Sequence, residues 1–361
     1  KGLSGLVKSR GVTFVEGWGK LVSPNTVEVN GTQYTGKNVV LATGSYARTL
    51  PGLDIDGKRV LTSDQALNMD YVPKSAIVLG GGVIGCEFAS VWKSFGAEVT
   101  IIEGLPRLVA LEDETSSKQL ERAFRKRKIE FEVGSRFQSH TVNADSVTVN
   151  LENGKTFTAE VLLVAVGRGP VSAGIGYEEQ GITMDRGYVL VDNKCRTNVP
   201  GVWAVGDLIP TLQLAHVGFQ EGIMVAEEIA GLNPQPINYD GVPRVTYSEP
   251  EVASVGLTTA TAKERGYDIE EISYDLGGNG KSQILKTAGS IKIVQQKGGP
   301  VLGIHMVGDR VGELIGEAQV IYNWQADAQD VAPYVHAHPT MNEAMGEAFM
   351  ALAGKPLHAH G

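Results

Sequence analysis

The sequence predicts an α/β protein of several domains, organised around one parallel βαβ unit. Three observations predict this class. The chain has 361 residues, which is more than a single hydrophobic core usually organises. Glycine contributes 45 of them, as tight turns and close backbone approaches require. Between Ser75 and Glu103 the pattern runs strand, glycine turn, helix, strand and acid, which is typical of a dinucleotide-binding βαβ unit.

The elements of this unit follow from hydrophobic periodicity. A short apolar run predicts a strand at Ala76–Leu79, and apolar residues at helical spacing predict a helix at Val83–Phe95. Gly96 then ends the helix. A second apolar run predicts the next strand at Val99–Ile102.

Gly80, Gly82 and Gly85 give the spacing G-x-G-x-x-G between the first strand and the helix. The first glycine permits the tight turn, the second lets a pyrophosphate approach the backbone, and the third lets helix and strand pack closely. The helix N-terminus offers unpaired N–H groups to the phosphates. Glu103 can accept both ribose hydroxyls and would repel a 2′-phosphate, so the sequence predicts NAD rather than NADP. The alternative is a plain βαβ unit followed by an incidental acid.

Composition excludes several classes of function. A net charge of −9 disfavours general binding to nucleic acids or membrane surfaces, and neither is predicted as a partner. The sequence has no run of 18 apolar residues and no signal-peptide pattern. Cys86 and Cys195 are far apart and form no CxxC pair, so we expect two packing residues in a reducing, cytoplasmic setting.

The N-terminal section predicts short strands and a second ligand-binding edge. Strands are predicted at Val12–Glu16, Thr26–Val29, Gln33–Tyr34 and Asn38–Ala42, with a hairpin turn at Val29–Gly31. Two apolar runs end in Ala-x-Gly, at Val39–Gly44 and Leu162–Gly167, and a third run, Val202–Asp207, is a variant in which an aspartate follows the glycine. Such ends let backbone approach a ligand at the carboxyl edge of a sheet. Two dinucleotide domains would each need one, yet the chain has a single GxGxxG.

The rest of the chain predicts further α/β structure and, beyond a linker with three prolines before residue 244, an α+β domain. Helices are predicted at Thr115–Lys128, 215–231, Thr259–Arg265, Val311–Trp324, Ala328–Tyr334 and Thr340–Leu352. Strands are predicted at Ile129–Val133, Ser146–Leu151, Thr156–Ala159, Val161–Val166, Arg244–Tyr247, Val252–Leu257, Ile269–Asp275, Gly289–Gln295 and Val301–Val307.

One C-terminal motif, His336-Ala337-His338-Pro339-Thr340 followed by Glu343, is the most specific in the chain. With the motifs above, it resembles the flavoprotein disulfide reductases, and within them the dihydrolipoamide dehydrogenases, the E3 components of 2-oxo acid dehydrogenase complexes. The resemblance covers all 361 residues in order. It implies that His338 is the general acid/base, that Glu343 orients it, and that the His338–Pro339 bond is cis. The pair is physically sensible, because histidine titrates near neutral pH and a carboxylate fixes its tautomer.

The resemblance also implies the cofactor residues. Those predicted to contact NAD are Gly80, Gly82, Val83, Ile84, Gly85, Glu87, Glu103, Phe137, Ala165, Gly167 and Arg168. Among them, Glu87 corresponds to the family's glutamate near the nicotinamide, with a solvated helix residue as the alternative. Those predicted to contact FAD are Thr43, Gly44, Asp207 and Ala215.

The implied fold is an NAD-binding Rossmann-like domain inserted in a partial FAD-binding domain, followed by a C-terminal α+β dimerisation domain. The expected boundaries are 1–72 and 187–242 for the two parts of the FAD-binding domain, 73–186 for the NAD-binding domain, and 243–361 for the interface domain.

The chain departs from the family pattern in three ways. It has no CxxxxC redox disulfide, no GxGxxG for the ADP half of FAD, and no lysine beside the flavin. In the family all three lie upstream of the part that this chain resembles. The chain is therefore interpreted as lacking the N-terminal FAD and redox segment, through truncation, proteolysis or design. It is expected to bind FAD poorly and to be inactive on lipoamide.

Three functions follow. The first is an NAD-dependent dihydrolipoyl dehydrogenase whose parent protein serves the lipoyl domains of 2-oxo acid dehydrogenase complexes. The second is a redox-inactive, homodimeric NAD-binding fragment or scaffold. The third, disfavoured by the C-terminal motif, is another superfamily oxidoreductase such as a transhydrogenase or NADH oxidase. The two His-x-His pairs, at 336/338 and 358/360, suggest no third ligand, so no metal site is predicted.

Overall fold

A computed structural model describes residues 1–358. Helices and strands are numbered in chain order. The α-helices of the described residues are α1 (Gly2–Ser9), α2 (Ser63–Ala66), α3 (Val83–Ser94), α4 (Glu114–Lys126), α5 (Ala215–Ile229), α6 (Thr259–Glu264), α7 (Gly280–Leu285), α8 (Val311–Asn323), α9 (Ala328–Val331) and α10 (Asn342–Leu352).

The first twelve strands are β1 (Gly19–Ser23), β2 (Thr26–Val29), β3 (Thr32–Thr35), β4 (Val39–Leu41), β5 (Ser45–Ala47), β6 (Val60–Leu61), β7 (Ser75–Leu79), β8 (Glu98–Ile102), β9 (Ile129–Glu132), β10 (Phe137–Val142), β11 (Val147–Leu151) and β12 (Thr156–Ala159). The later strands are β13 (Val161–Val164), β14 (Arg168–Pro170), β15 (Met184–Asp185), β16 (Tyr188–Val189), β17 (Val202–Ala204), β18 (Arg244–Thr246), β19 (Glu251–Gly256), β20 (Ile269–Asp275), β21 (Ser290–Gln296) and β22 (Val301–Gly308).

The chain divides into two compact units. The first combines Lys1–Tyr46 with Arg168–Tyr239. It contains the antiparallel sheet β1-β2-β3 and the parallel pair β4 and β17. The hairpin turn between β2 and β3 is confirmed, and its residues Asn30 and Gly31 both have positive φ, as a type I′ turn requires.

The predicted strand Val12–Glu16 is wrong. Residues 12–15 have no regular secondary structure, and every side chain from Val12 to Glu16 is exposed. The residue types fit a strand, but a strand forms only where a neighbour pairs with it and one face is buried.

The second unit combines Ala47–Gly167 with the chain from Asp240 onwards. Its parallel sheet has the order β6-β13-β7-β8-β9. The βαβ prediction is confirmed as β7, α3 and β8. Four of the five residues of β7 and all four of β13 are buried, which is usual where helices or other layers cover both faces of a parallel sheet. The antiparallel sheet β10-β11-β12 contributes Val147, Val149 and Leu151 to the core beneath it.

The C-terminal part of the second unit is built on an antiparallel sheet of order β18-β19-β22-β21-β20. Its core joins strand residues such as Ile291 and Ile304 to Leu314 of α8 and Phe349 of α10. The five predicted strands are confirmed, one with its exact bounds and the others with ends shifted by one residue. The helix predicted at Ala328–Tyr334 ends at Val331, and α7 was not predicted.

The structure confirms the predicted α/β class with an antiparallel C-terminal sheet. The division into three domains, one of them in two parts, stays a prediction, because the second compact unit is not divided further. None of the described helices combines the length and apolar composition that crossing a membrane requires.

Candidate functional site

Two of the three glycines of the GxGxxG motif, which follows β7, have no room for a side chain. Gly80 has a φ of +114°, and a Cβ there would lie 2.3 Å from the carbonyl oxygen of Ala165. A Cβ on Gly85 would lie 1.8 Å from the oxygen of Gly80. A Cβ on Gly82 would meet no atom of the described residues within 4 Å. The first and third glycines are therefore needed for packing, and the second faces open space.

That open space lies at the start of α3. Gly82 is the N-cap, and no side chain from residues 1–358 caps the helix. Val83 is exposed and Ile84 is half-buried in the first turn. First-turn N–H groups have no partner within their own helix, so this terminus suits an anion such as a pyrophosphate. The residues present thus fit the phosphates of a dinucleotide.

Glu103 stands at the end of β8 and is fixed by two backbone donors. Its Oε2 accepts the N–H of Gly81 at 2.5 Å, and its Oε1 accepts the N–H of Leu105 at 2.7 Å. An ionised carboxylate has about four acceptor sites, so two remain for ribose hydroxyls. Sequence reasoning missed Gly81, where a Cβ would lie 2.6 Å from Leu108 Cδ2 and 3.0 Å from Glu103 Cβ. The run of three glycines was the available signal.

Glu87 is half-buried on α3, and its Oε1 accepts the N–H of Tyr247 at 2.8 Å. Burial raises the pKa of its carboxyl group, although the hydrogen bond from Tyr247 acts in the opposite direction. The side chain therefore contacts the start of the C-terminal section rather than only solvent. Its predicted role near the nicotinamide stays a prediction.

The remaining residues predicted for NAD are spread over three strand ends. Phe137 begins β10 and packs half-buried against the core under the parallel sheet. Ala165 donates its N–H to Leu79 at 2.8 Å, which holds it beside the glycine turn. Gly167 is exposed, and its oxygen accepts the N–H of Arg48 at 3.0 Å.

Arg168 belongs to the first unit, where it contacts residues near those predicted for FAD. Its Nε donates to Ser45 Oγ at 2.6 Å, and its Nη2 donates to the oxygen of Ser45 at 2.8 Å. Ser45 Oγ in turn donates to Asp207 Oδ2 at 2.5 Å, which lies 3.9 Å from Arg168 Nε. The structure therefore brings together Arg168 and Asp207, which the sequence analysis assigned to different cofactors. Ser45 was missed, although it directly follows Thr43 and Gly44.

The other residues predicted for FAD also lie in the first unit. Thr43 Oγ1 donates to the oxygen of Val171 at 2.5 Å. Gly44 has a φ of +71°, and a Cβ there would meet nothing within 4 Å among the described residues. Ala215 is exposed at the start of α5. These positions offer only part of a flavin site, because the sequence has no second GxGxxG to hold an ADP group.

The C-terminal motif forms a histidine–carboxylate pair. His338 Nδ1 lies 2.7 Å from Glu343 Oε1, and the histidine side chain is 77% exposed. The backbone N–H of Thr340 donates to Glu343 Oε2 at 2.8 Å. Burial alone would raise the pKa of Glu343, but the bonds from Thr340 and His338 outweigh it and lower that pKa. The predicted cis bond between His338 and Pro339 is confirmed.

His336 forms a second, more buried pair with α8. Its Nε2 lies 2.9 Å from Glu317 Oε1, while Asn342 donates to Glu317 Oε2 at 2.6 Å. The bond to Glu317 raises the pKa of His336 against the opposing effect of burial. Its ring also packs on α10, where a Cβ at Gly346 would lie 2.5 Å from His336 Nδ1. The His336 ring is therefore largely enclosed, whereas the His338 ring is exposed.

Both cysteines are free and buried. Burial is the main cause that raises the thiol pKa of Cys86, and it raises that of Cys195 to about 12. Neither thiol is therefore suited to act as a thiolate at neutral pH. Within residues 1–358, no group of three histidine, cysteine or acidic side chains is arranged to hold a metal ion. His360 lies outside the described residues.

Comparison with known proteins gives two family matches. Residues 1–222 match the family described as pyridine nucleotide-disulphide oxidoreductase. Residues 242–349 match the dimerisation domain of the same family.

Similar proteins cover nearly the whole chain. Dihydrolipoyl dehydrogenase 1, mitochondrial, of Arabidopsis thaliana is 38% identical over 371 residues, covering 99% of this chain and 73% of that protein. Dihydrolipoyl dehydrogenase of Bacillus subtilis is also 38% identical, covering 99% of this chain and 80% of that protein. Among solved structures, LpdA from Mycobacterium tuberculosis superposes with a TM-score of 0.90 at 27% identity, covering 97% of this chain and 80% of that one.

The glycine turn yields a matched pair of substitutions. Gly82→Ala places a methyl group in the open space, so we expect NADH binding to weaken roughly tenfold or more, about 1.4 kcal/mol. The free energy of unfolding should change by less than about 1 kcal/mol, because alanine is only a poorer N-cap. Isothermal titration and urea denaturation measure the two effects.

Gly85→Ala is the comparison variant. Its methyl group would meet the oxygen of Gly80, so we expect a loss of roughly 1–3 kcal/mol in unfolding free energy, as for overpacked cores. Equal loss of stability in both variants would contradict the assignment of Gly82 to the phosphate side.

The enclosed pair predicts a pH dependence of stability. Since the folded-state pKa of His336 is raised above its ordinary 6.5, its contribution is complete below about pH 6.5 and is lost as pH rises through the raised value. We expect His336→Gln to lower the unfolding free energy more at pH 6 than at pH 9. Urea denaturation at both pH values, with His140→Gln on β10 as control, measures the difference. A larger loss at pH 9 would contradict the pairing.

Proposed function

Because the chain belongs to the pyridine nucleotide-disulphide oxidoreductase family, we propose that it carries the nucleotide-binding and proton-transfer parts of a dihydrolipoyl dehydrogenase. The family uses FAD and NAD(P). The observation that carries the proposal is the His338–Glu343 pair, in which a 2.7 Å bond orients a ring that stays 77% exposed. Such a ring suits proton exchange with a substrate thiol presented from outside the chain. The similarity to two dihydrolipoyl dehydrogenases supports this choice within the family.

The pair defines the direction of proton transfer. The lowered pKa of Glu343 keeps its carboxyl group ionised, so it accepts a hydrogen bond and the proton of the neutral imidazole lies on His338 Nδ1. The lone pair on Nε2 then accepts the proton of a dihydrolipoyl S–H group and leaves a thiolate. Glu343 stabilises the resulting imidazolium, as the third member of a catalytic triad does. Glu343 thus acts as the orienting group and His338 as the acid/base.

The glycine turn supplies the nucleotide site of this proposal. Gly82 and the first turn of α3 would hold the pyrophosphate, and Glu103 would hold the adenosine ribose. NAD, when bound, supplies a hydride acceptor. The acid at position 103 would also disfavour a 2′-phosphate, so NADH is the preferred partner.

The thiol chemistry of the reaction requires groups that the 361 residues do not supply. The sequence contains no CxxxxC, and both cysteines are buried with raised thiol pKa values. We therefore propose that the chain by itself binds NADH as a homodimer, in line with its dimerisation domain, and does not turn over lipoamide. In the complete reaction, the partners would be lipoyl domains of 2-oxo acid dehydrogenase complexes. The proposed location is the reducing cytoplasm.

Nucleotide preference and activity of the purified chain test this function. We expect NADH to bind at least about tenfold more tightly than NADPH, because Glu103 repels the 2′-phosphate. Glu103→Gln should narrow that ratio, whereas Glu98→Gln, at the start of the same strand, should not. Isothermal titration gives the affinities. A preference for NADPH would contradict the role of Glu103.

The same preparation distinguishes the enzyme from a binding module. An absorbance band at about 450 nm reports bound flavin, and the reduction of lipoamide by NADH reports turnover. We expect the chain to bind NADH and to show neither the flavin band nor turnover. That result would favour a redox-inactive NAD-binding dimer for the chain alone. Yellow protein that reduces lipoamide would contradict the proposal that the chain by itself binds NADH without turnover.

A further inference from the structure

A strained segment lies directly behind the glycine turn. Val109 has a φ of +41° and is 3% exposed. A β-branched residue is rarely found in this left-handed region, because its side chain crowds the backbone. Such a conformation persists only where surrounding contacts determine it, and it is most often found near functional sites. The contacts of residues 108–113, here called the support segment, are therefore informative.

The support segment holds the glycine turn on one side. The N–H of Val109 donates to the oxygen of Gly81 at 2.8 Å. Leu108, which is fully buried, packs where a Cβ of Gly81 would otherwise lie. Since the N–H of Gly81 already donates to Glu103, both backbone polar groups of Gly81 are fixed. The position of the phosphate-binding turn thus depends on the position of Val109.

The other end of the support segment is anchored on the C-terminal antiparallel sheet. The N–H of Glu112 donates to the oxygen of Val109 at 2.8 Å, which closes a turn. The carboxylate of Glu112 accepts Ser254 Oγ of β19 at 2.5 Å and lies 3.4 Å from Arg244 Nε of β18. Both Glu112 and Ser254 are buried.

Asp113 makes a second buried anchor. Its Oδ1 lies 3.1 Å from Lys292 Nζ of β21, and its Oδ2 accepts the N–H of Thr259 at 3.2 Å. Its Oδ1 also accepts the N–H of Thr115, which caps α4. Lys292 and Asp113 are 7% and 2% exposed, so this charge pair is shielded from solvent. Lys292 Nζ also lies 3.4 Å from Glu271 Oε2, which is more exposed, so Asp113 is its buried partner. Removing the charge of Asp113 weakens a pair that is shielded from solvent, which is costly.

We propose that Glu112 and Asp113 are positioning residues for NADH, which hold the glycine turn in its binding geometry by fixing the support segment on the C-terminal sheet. The inference rests on the proposed NAD site and extends it, because it makes the C-terminal sheet part of the nucleotide site's support. Neither carboxylate is assigned a contact with the nucleotide. Their effect passes through Val109 and Gly81.

The test compares Asp113→Asn with Glu114→Gln in the full chain. Asparagine keeps the helix cap but removes the charge that faces Lys292, whereas Glu114 is an exposed neighbour that pairs with Lys118. We expect the NADH dissociation constant to rise about tenfold in Asp113→Asn, at a temperature where the variant is fully folded, and to stay unchanged in Glu114→Gln. Lowered thermal stability with an unchanged dissociation constant would overturn the proposal.

Hydrogen exchange separates this inference from the proposed function. Without nucleotide, the amides of Gly81 and Val109 should exchange at least about tenfold faster in Asp113→Asn than in Glu114→Gln, because their hydrogen bonds open more often. If the unaltered chain does not bind NADH, the proposed function fails, while faster exchange would still support the positioning role. Unchanged exchange would overturn it. Ser254→Ala, which removes only one hydroxyl from Glu112, gives the same readout if Asp113→Asn does not fold.

Discussion

The close approach of two glycines to backbone carbonyls is the constraint on which the second unit depends. Gly80 lies against the oxygen of Ala165, and Gly85 lies against the oxygen of Gly80. The first contact fixes the ends of β7 and β13, while the second lets α3 begin directly behind β7. A helix that starts there directs its uncapped first turn to the carboxyl edge of the sheet, where ligands of parallel sheets bind. The geometry of the proposed nucleotide site is thus a consequence of backbone packing.

Burial distinguishes groups of the same chemistry in this protein. His336 and His338 are two residues apart, and each pairs with a glutamate at under 3 Å. The His336 ring is enclosed between α8 and α10, so its charge serves stability. The His338 ring is exposed, so its free nitrogen can exchange a proton with another molecule. Burial also decides the role of the two cysteines. Both thiols are buried, so neither is suited to redox chemistry.

The sequence predicted what depends on local contacts. The GxGxxG turn, its strand and its helix involve neighbours close in the chain, so spacing alone identified them. The strand at Val12–Glu16 failed because residue types cannot report whether a pairing neighbour exists. Ser45 lies more than 100 positions from both Arg168 and Asp207, which it contacts, and no local pattern signals this grouping. Val109 was unpredictable for the same reason, since the contacts that hold its unusual φ come from Gly81 and the C-terminal sheet.

Most of the residues predicted for the two cofactors lie in different units. The glycine turn, Glu103 and the His338–Glu343 pair all belong to the second unit, whereas Thr43, Asp207 and Ala215 belong to the first. Within the second unit, α3 is tied to the C-terminal section through Glu87 and Tyr247, and through Ser90, whose hydroxyl accepts the N–H of Glu249 at 2.9 Å. These bonds and the buried Asp113–Lys292 pair tie α3 and the N-terminus of α4 to the C-terminal section. The proposed NADH binding should therefore depend on the integrity of the C-terminal sheet.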